Sequence, residues 1–586
     1  MHFSLPLLAC SALVQSPIPP PQVRPSAGGE QHQGPLVPDE PPALVVLVIC
    51  DQLIPDQLDR LAPWLDGGLA RFWNQGRSYR KANLSYSLTE TGPGHASAST
   101  GCLPSRHGIV GNSFYDRNQG KAIYCMTDAS VRALTSTGPA ESGSGSSPHY
   151  ITAHTLAETL LTADSASRVF SVSMKDRSAI CMAGPAPAWA VWWDKTKGGF
   201  MSSTHYGGAL PPFVLEWNTS WRERASDWEW TPSFKDDPTP LGTAVDDRPG
   251  ESPYGAHGIR FPYRLPKLDP EVLAAADLEA AAAHLKSLAS EVYGYPLGDQ
   301  FTLQVAASAL DALELGQDKH PDLLAVSLSS CDAIGHSFGP YSWEVTDSLL
   351  RTDDALGEFL DLLDERVGRG RWVGVLTADH GVLELPESLQ ARGVGAKRID
   401  RVETGVYTGA ITRALEAAHG VKFKLKFNGR GFSMDPLEVT ASGLDAAMLR
   451  RTMADACLDA HWVAAAYTLE ELMGEEEPSS ESEVPWLELY RASSYTGRCL
   501  DVVLRPDPWV LMSSGRGTSH GSPYEYDRHI PLAFLGPAFP AGFSSAPADS
   551  KDILPTLLPL LGLAPLGPID GRDLLAAPVL PVPLDR

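Results

Sequence analysis

The sequence predicts an α/β fold: a central, mostly parallel sheet with helices on both faces, interrupted by two large insertions. Two observations predict it. Short, continuous apolar runs recur at residues 44–49, 169–172, 323–328, 372–376 and 532–535. A strand covered by helices on both faces has no polar side, so it is written as an unbroken apolar run. Helix-like stretches, such as 153–163 and 347–367, lie between several of these runs. Such alternation argues for strand–helix–strand units, whose ligands gather at the carboxyl ends of the strands.

Taken in order, residues 2–16 are short and apolar, and Pro17, Pro19, Pro20 and Pro21 follow. This resembles an export signal, although no Lys or Arg precedes Arg24. A clipped signal or a disordered tail stays open as an alternative. Leu7-Leu8-Ala9-Cys10 resembles a lipoprotein cleavage box, which would anchor the chain through lipid on Cys10. Residues 1–42 are therefore assigned to a signal or lipoprotein-like segment and a linker. The expected location is periplasmic or extracellular. No later apolar run reaches the ~20 residues of a membrane span.

The catalytic core is assigned to residues 43–384 plus 506–577. Within it, 186–265 is expected to be a long irregular insertion rich in Trp, Pro and Gly. Its tryptophans, Trp189, Trp192, Trp193, Trp217, Trp221, Trp228 and Trp230, are assigned to packing rather than to substrate stacking. Residues 385–505 are expected to form a cap with its own helices, one of them at 441–461, and 578–586 a tail. Eight cysteines are too few for a disulfide scaffold.

The net charge of −24 excludes a general affinity for nucleic acid or anionic membrane, since both need basic surface. No nucleic-acid partner is expected, and the chain is expected to be a monomer. Acidity does not exclude a phosphate substrate, because bound cations invert the local field of a pocket.

Chemistry is carried by the placement of Asp and His. Asp51 ends the first run. Asp332 and His336 follow the run at 323–328, Asp379 and His380 follow that at 372–376, and His520 lies in Thr518-Ser519-His520-Gly521. Singly, such an Asp is usually a helix cap. Together these groups would converge at one edge of the sheet, and carboxylate–imidazole sets suit Zn²⁺. Between them lies Thr89-Glu90-Thr91-Gly92-Pro93-Gly94-His95. Its small residues would expose Thr91 at a helix start suited to an anion. A metal would ionise an otherwise weak hydroxyl nucleophile.

The order Asp51, Thr91, Asp332-x-x-x-His336, Asp379-His380, His520 resembles the alkaline phosphatase superfamily over about residues 43–577, insertions aside. The resemblance implies two zinc ions. One would be held by Asp332, His336 and His520, the other by Asp51, Asp379 and His380 together with Thr91. It also implies hydrolysis of phosphate esters through a phosphothreonine on Thr91. Asn112, 21 positions after Thr91, matches an Asn that contacts a phosphoryl oxygen in both the monoesterases and the nucleotide pyrophosphatase/phosphodiesterases.

Lys175-Asp176-Arg177 resembles the Lys-x-Arg pair of the Thr-dependent, phosphate-irrepressible bacterial alkaline phosphatases. Two added cations favour a dianionic monoester over a monoanionic diester. Gly92 and Gly94 lean the same way, because they replace the Phe and Asn common in the phosphodiesterases. The expected substrates are small-molecule phosphate monoesters. A phosphodiesterase or nucleotide pyrophosphatase is the alternative, ahead of a non-catalytic relative. Cys102-Leu103-Pro104-Ser105-Arg106 matches the sulfatase modification motif but out of register: nine positions before Thr100 stands Thr91, not Cys102.

Overall fold

The computed structural model describes residues 40–575, apart from 254–257, 270, 272–277, 477–480 and 514. The expected export segment, Cys10 and the tail 578–586 lie outside the described residues. The expected fold class holds. The main sheet contains β1 (Leu44–Cys50), β2 (Arg77–Ala82), β3 (Ala133–Thr135), β4 (Gly138–Pro139), β5 (Val169–Ser173), β6 (Trp189–Trp193), β7 (Phe200–Ser203), β8 (Asp322–Leu328), β9 (Trp372–Thr377), β10 (Leu532–Leu535) and β11 (Gly542–Ala548). Their order is β11-β2-β10-β9-β1-β8-β5-β6-β7-β3-β4.

The five central strands, β9-β1-β8-β5-β6, run parallel. Every residue of β1, β5, β8 and β9 is buried, as unbroken apolar runs require. Register then decides where the chemistry lands. Cys50 pairs with Leu328, Ile49 with Thr377 and Ser327 with Ser173. The residues that follow these four strands therefore emerge together at one edge. Antiparallel β10 closes onto β9, and β2 and β11 extend that side.

The segment at 186–265 differs from its expected irregular form. Its first tryptophans build β6, and β6 and β7 pair antiparallel within the main sheet. Pro and Gly on either side hid a buried aromatic strand. Trp193 packs edge-on against Phe200, Trp217 and Trp221. The helix expected at 347–367 instead runs Trp343–Leu363, because Ser342 Oγ accepts from Val345 N at 3.1 Å and caps it one turn earlier.

Residues of the expected cap form a second antiparallel sheet, in the order Leu425–Phe427, Gly431–Met434, Val502–Pro506, Val463–Thr468. Leu415, Phe432, Leu449, Met453, Val502 and Leu504 make a separate core there, which also takes in Val510. The helix expected at 441–461 is split. Helix Pro436–Ser442 ends at left-handed Gly443, and Asp445 caps a new start for Ala446–Cys457.

Buried Asp347 ties the Trp-rich segment to the long helix. It accepts from Trp230 Nε1 at 2.5 Å, Ser233 Oγ at 2.6 Å and Arg351 Nε at 2.6 Å, and also from Ser233 N. Asp347→Ala strands all of these donors. It should lower unfolding stability by roughly 3 kcal/mol in urea titrations, and a change below about 0.5 kcal/mol would contradict this account.

Candidate active site

Asp51 leaves β1, and Asp379 and His380 leave β9. Asp332 and His336 share one face of helix Ser330–Phe338, which follows β8. His520 lies in the loop returning from the cap sheet to β10. Donor atoms of Asp51, Asp379 and His380 fall within 4.8 Å of one another, and so do those of Asp332, His380 and His520. The grouping differs in detail from the one implied by the resemblance. The rings of His380 and His520 stack at 3.5 Å, so His380 serves both clusters. His336 joins through Asp332, with Nε2 3.1 Å from Asp332 Oδ1.

Three observations test whether this pocket fits a cation. First, the histidine rings are held in one tautomer. His336 Nδ1 meets Thr518 O at 2.8 Å, His380 Nδ1 meets Gly381 O at 3.0 Å, and His520 Nδ1 meets Thr89 O at 2.7 Å. A carbonyl only accepts, so each ring carries a proton on Nδ1, which leaves Nε2 of His380 and His520 free to accept, while Nε2 of His336 faces the Asp332 carboxylate. Second, Asp51 Oδ1, Asp379 Oδ2 and His380 Nε2 are buried without a hydrogen-bond partner. Such orphans are costly unless something positive meets them.

Third, the charges conflict. Burial raises the Asp51 carboxyl well above its ordinary range, and Asp332 and Asp379 push it further, against Lys175. Burial and the adjacent His380 and His336 hold His520 well below the usual imidazole range, and burial also lowers His380. Burial opposes protonation of His336 too, but the Asp332 carboxylate outweighs it and raises that ring. The neutral imidazoles of His380 and His520 beside crowded carboxylates are a ligand set for divalent cations.

Thr91 is the first residue of helix Thr91–Thr100, in which every residue is buried. Its Oγ1 lies 3.3 Å from an Arg177 guanidinium nitrogen and 3.5 Å from Lys175 Nζ. Lys175, expected on a phosphate oxygen, pairs with Asp51 and, at 2.6 Å, with Asp332. Asn112 Oδ1 accepts from Gly92 N at 2.8 Å, turning that side chain to the start of the same helix. Cys102 lies past the far end of this helix, beyond the left-handed Gly101 that ends it. Burial pushes its thiol up to about 11.

The structure adds residues that sequence reasoning missed. Gln52, in left-handed conformation, donates from N to Asp379 Oδ1 at 3.1 Å and from Nε2 to Asp332 Oδ1 at 2.8 Å. Buried His95 donates from Nδ1 to Thr91 O at 2.9 Å and accepts from Ser327 Oγ at 2.9 Å. Its helical i+4 spacing from Thr91 was the available signal. Arg430 of the cap sheet's hairpin pairs with Glu90, which accepts from Asn112 N at 2.7 Å. No local signal marks that residue.

The model of the family "Type I phosphodiesterase / nucleotide pyrophosphatase" matches residues 45–404. The chain belongs to the type I phosphodiesterase/nucleotide pyrophosphatase family. That family lies in the alkaline phosphatase superfamily, and at this level the chain is a hydrolase of phosphoric esters. It is 31% identical to alkaline phosphatase PafA of Elizabethkingia meningoseptica over 547 residues, covering 89% of this chain and 91% of the relative. Alkaline phosphatase PhoV of Synechococcus elongatus is also 31% identical, over 89% of this chain and 90% of its own. The crystal structure of wild-type PafA superposes with a TM-score of 0.80 at 27% identity, covering 92% of this chain and 99% of the other.

In this family member, Gly94 lets helix Thr91–Thr100 touch the Asp379 backbone, and a Cβ there would overlap Asp379. Gly94→Ala should lose roughly 1–3 kcal/mol of stability and bind metal more weakly. Denaturation with parallel metal analysis checks this. Wild-type stability and metal content would contradict it.

Proposed function

We propose that the protein hydrolyses phosphate monoesters through a covalent phosphothreonine on Thr91, with two zinc ions as cofactors. The observation that carries the monoester reading is the pair of cations, Arg177 and Lys175, 3.3 and 3.5 Å from the buried Thr91 hydroxyl. A monoester phosphoryl group holds two negative charges and a diester one, so paired cations favour the former. A solved PafA variant is substituted at one Thr, one Asn, one Lys and one Arg. The Thr-to-Asn spacing of 21 and the Lys-to-Arg spacing of 2 in that variant match Thr91/Asn112 and Lys175/Arg177.

Asp51, Asp379 and His380 would hold one zinc and Asp332, His336 and His520 the other, with Thr91 at the first. When bound, the ions supply Lewis-acid stabilisation of charge on the attacking, transferring and leaving oxygens. The Thr91 hydroxyl loses its proton to solvent and its oxygen attacks phosphorus as the bond to the leaving oxygen breaks. The leaving alkoxide takes up a proton and departs as the alcohol. Water then cleaves the phosphothreonine, freeing phosphate and restoring the hydroxyl. Lys175 and Arg177 hold the non-bridging oxygens, and Asn112 orients the phosphoryl group. His95 fixes the Thr91 backbone.

The matched family's own description supports a second reading, a phosphodiesterase. Export through residues 2–16, with the mature chain acting as a monomer on small phosphate monoesters, completes the first reading. No helix among the described residues is long and apolar enough to cross a membrane.

Thr91→Ala should keep its zinc, measured by elemental analysis, and lose at least about 10³-fold in kcat on nitrophenyl phosphate. Loss of Lys175 and Arg177 together should cut kcat/KM for the monoester by about 10²-fold or more and the diester far less. A wild type that prefers the diester, with that preference surviving the double substitution, is instead a phosphodiesterase.

A further inference from the structure

Lys195 stands on the turn that joins β6 to β7. The turn is closed by Asp194 N to Gly199 O at 2.9 Å and by Gly198 N to Asp194 O at 2.8 Å. Asp194 Oδ1 also accepts from Thr196 N at 2.8 Å and Lys197 N at 3.1 Å. Gly198 is left-handed, and any side chain there would overlap buried Trp221. The turn is thus seated rigidly on the core.

From it, Lys195 Nζ reaches over the ring of Tyr293, 3.2 Å from the centroid. Register sets this turn beside the candidate site. Trp192 pairs with Ser173, so the residues leaving β6 emerge next to Lys175 and Arg177 leaving β5, and the charges of Lys175, Arg177, Asp176 and Asp332 bear on Lys195. Lys175, Arg177, Asp332 and Asp51 also bear on Tyr293. The acids near Lys195 are already engaged. Asp176 accepts from Tyr124 and from Ser146 Oγ, and Asp332 pairs with Lys175 and His336. Lys195 is therefore a third cation beside two others, with no carboxylate of its own among the described residues. Although the residue is exposed, packing around its ammonium and repulsion from Lys175 and Arg177 lower it from its ordinary value. Lys175 is compensated by Asp51 and Asp332, whereas the Arg177 and Lys195 charges have no carboxylate within ion-pair distance among the described residues, and such unpaired cations call for an anion.

We propose that Lys195 and Tyr293 form a second anion subsite beside the phosphoryl pocket, which selects monoesters whose leaving group carries a further phosphate or carboxylate. This rests on the monoesterase reading. Lys175 and Arg177 already match the two charges of a phosphoryl group. A rigid third cation at its edge matches a charge on the remainder of the substrate.

Matched substrate pairs test it: 3-phosphoglycerate against glycerol 3-phosphate for the carboxylate, and propane-1,3-diol bisphosphate against propane-1,3-diol monophosphate for the phosphate. In Lys195→Ala, kcat/KM for the charged member should fall about fivefold, mainly through KM. The uncharged member should stay within about twofold. Lys195→Arg should restore the preference and Lys195→Glu should invert it. Equal loss on both members would place Lys195 on the phosphoryl group itself and overturn the proposal, as would no change on either.

If the wild type turns over neither member, it is the monoesterase reading that fails. Calorimetric binding of ethylphosphonate and 3-phosphonopropionate, which differ by one carboxylate, then reads the subsite alone. Tighter binding of the second probe, lost in Lys195→Ala, supports the subsite. Equal binding of both probes to the wild type overturns it.

Discussion

Asp51, Asp332 and Asp379 sit buried within one small pocket, and their mutual repulsion organises much of the structure around them. Three buried carboxylates cannot share such a space without compensating charge. Lys175 supplies part of it by pairing with two of them. Gln52 supplies hydrogen bonds to two. His380 and His520 contribute bare Nε2 atoms, because backbone carbonyls hold their protons on the other side. What remains unmatched, an oxygen on each of Asp51 and Asp379 and a nitrogen on His380, is an electron-rich set that a divalent cation satisfies.

The sheet makes this crowding possible. Parallel register delivers the ends of β1, β8 and β9 to one level, and β5 delivers Lys175 and Arg177 beside them. Helix Thr91–Thr100 then has to approach the Asp379 backbone closely, which explains its run of Gly, Ala and Ser. Its first residue thereby meets two cations. Stability and chemistry are coupled here, since the contact that packs the helix also places the threonine.

Two peripheral elements reach into this centre from far along the chain. The second sheet sends Arg430 to Glu90, immediately before Thr91, so that sheet and the start of helix Thr91–Thr100 are linked by an ion pair. The β6–β7 turn carries Lys195 toward Lys175 and Arg177. Both elements lie outside the five central strands, and connections on a rigid scaffold are where binding residues commonly sit.

The α/β class and four of the five central parallel strands were legible in the sequence, because burial on both faces writes itself as consecutive apolar residues. So were the donor types after those strands, since Asp and His at strand ends are local facts. β6 was not legible, because its tryptophans lie among Pro and Gly and look irregular. Nor were β2 and β11, strands of mixed polarity whose place comes from their partners. The sequence by itself determined which chemical groups reach the sheet edge and that Thr91 stands among small residues. Only the tertiary structure decided that His380 lies between both clusters, that Lys175 bridges two carboxylates, and that Arg430 and Lys195 come near. Those facts depend on register and on packing between residues up to hundreds of positions apart, where local composition carries no distance information.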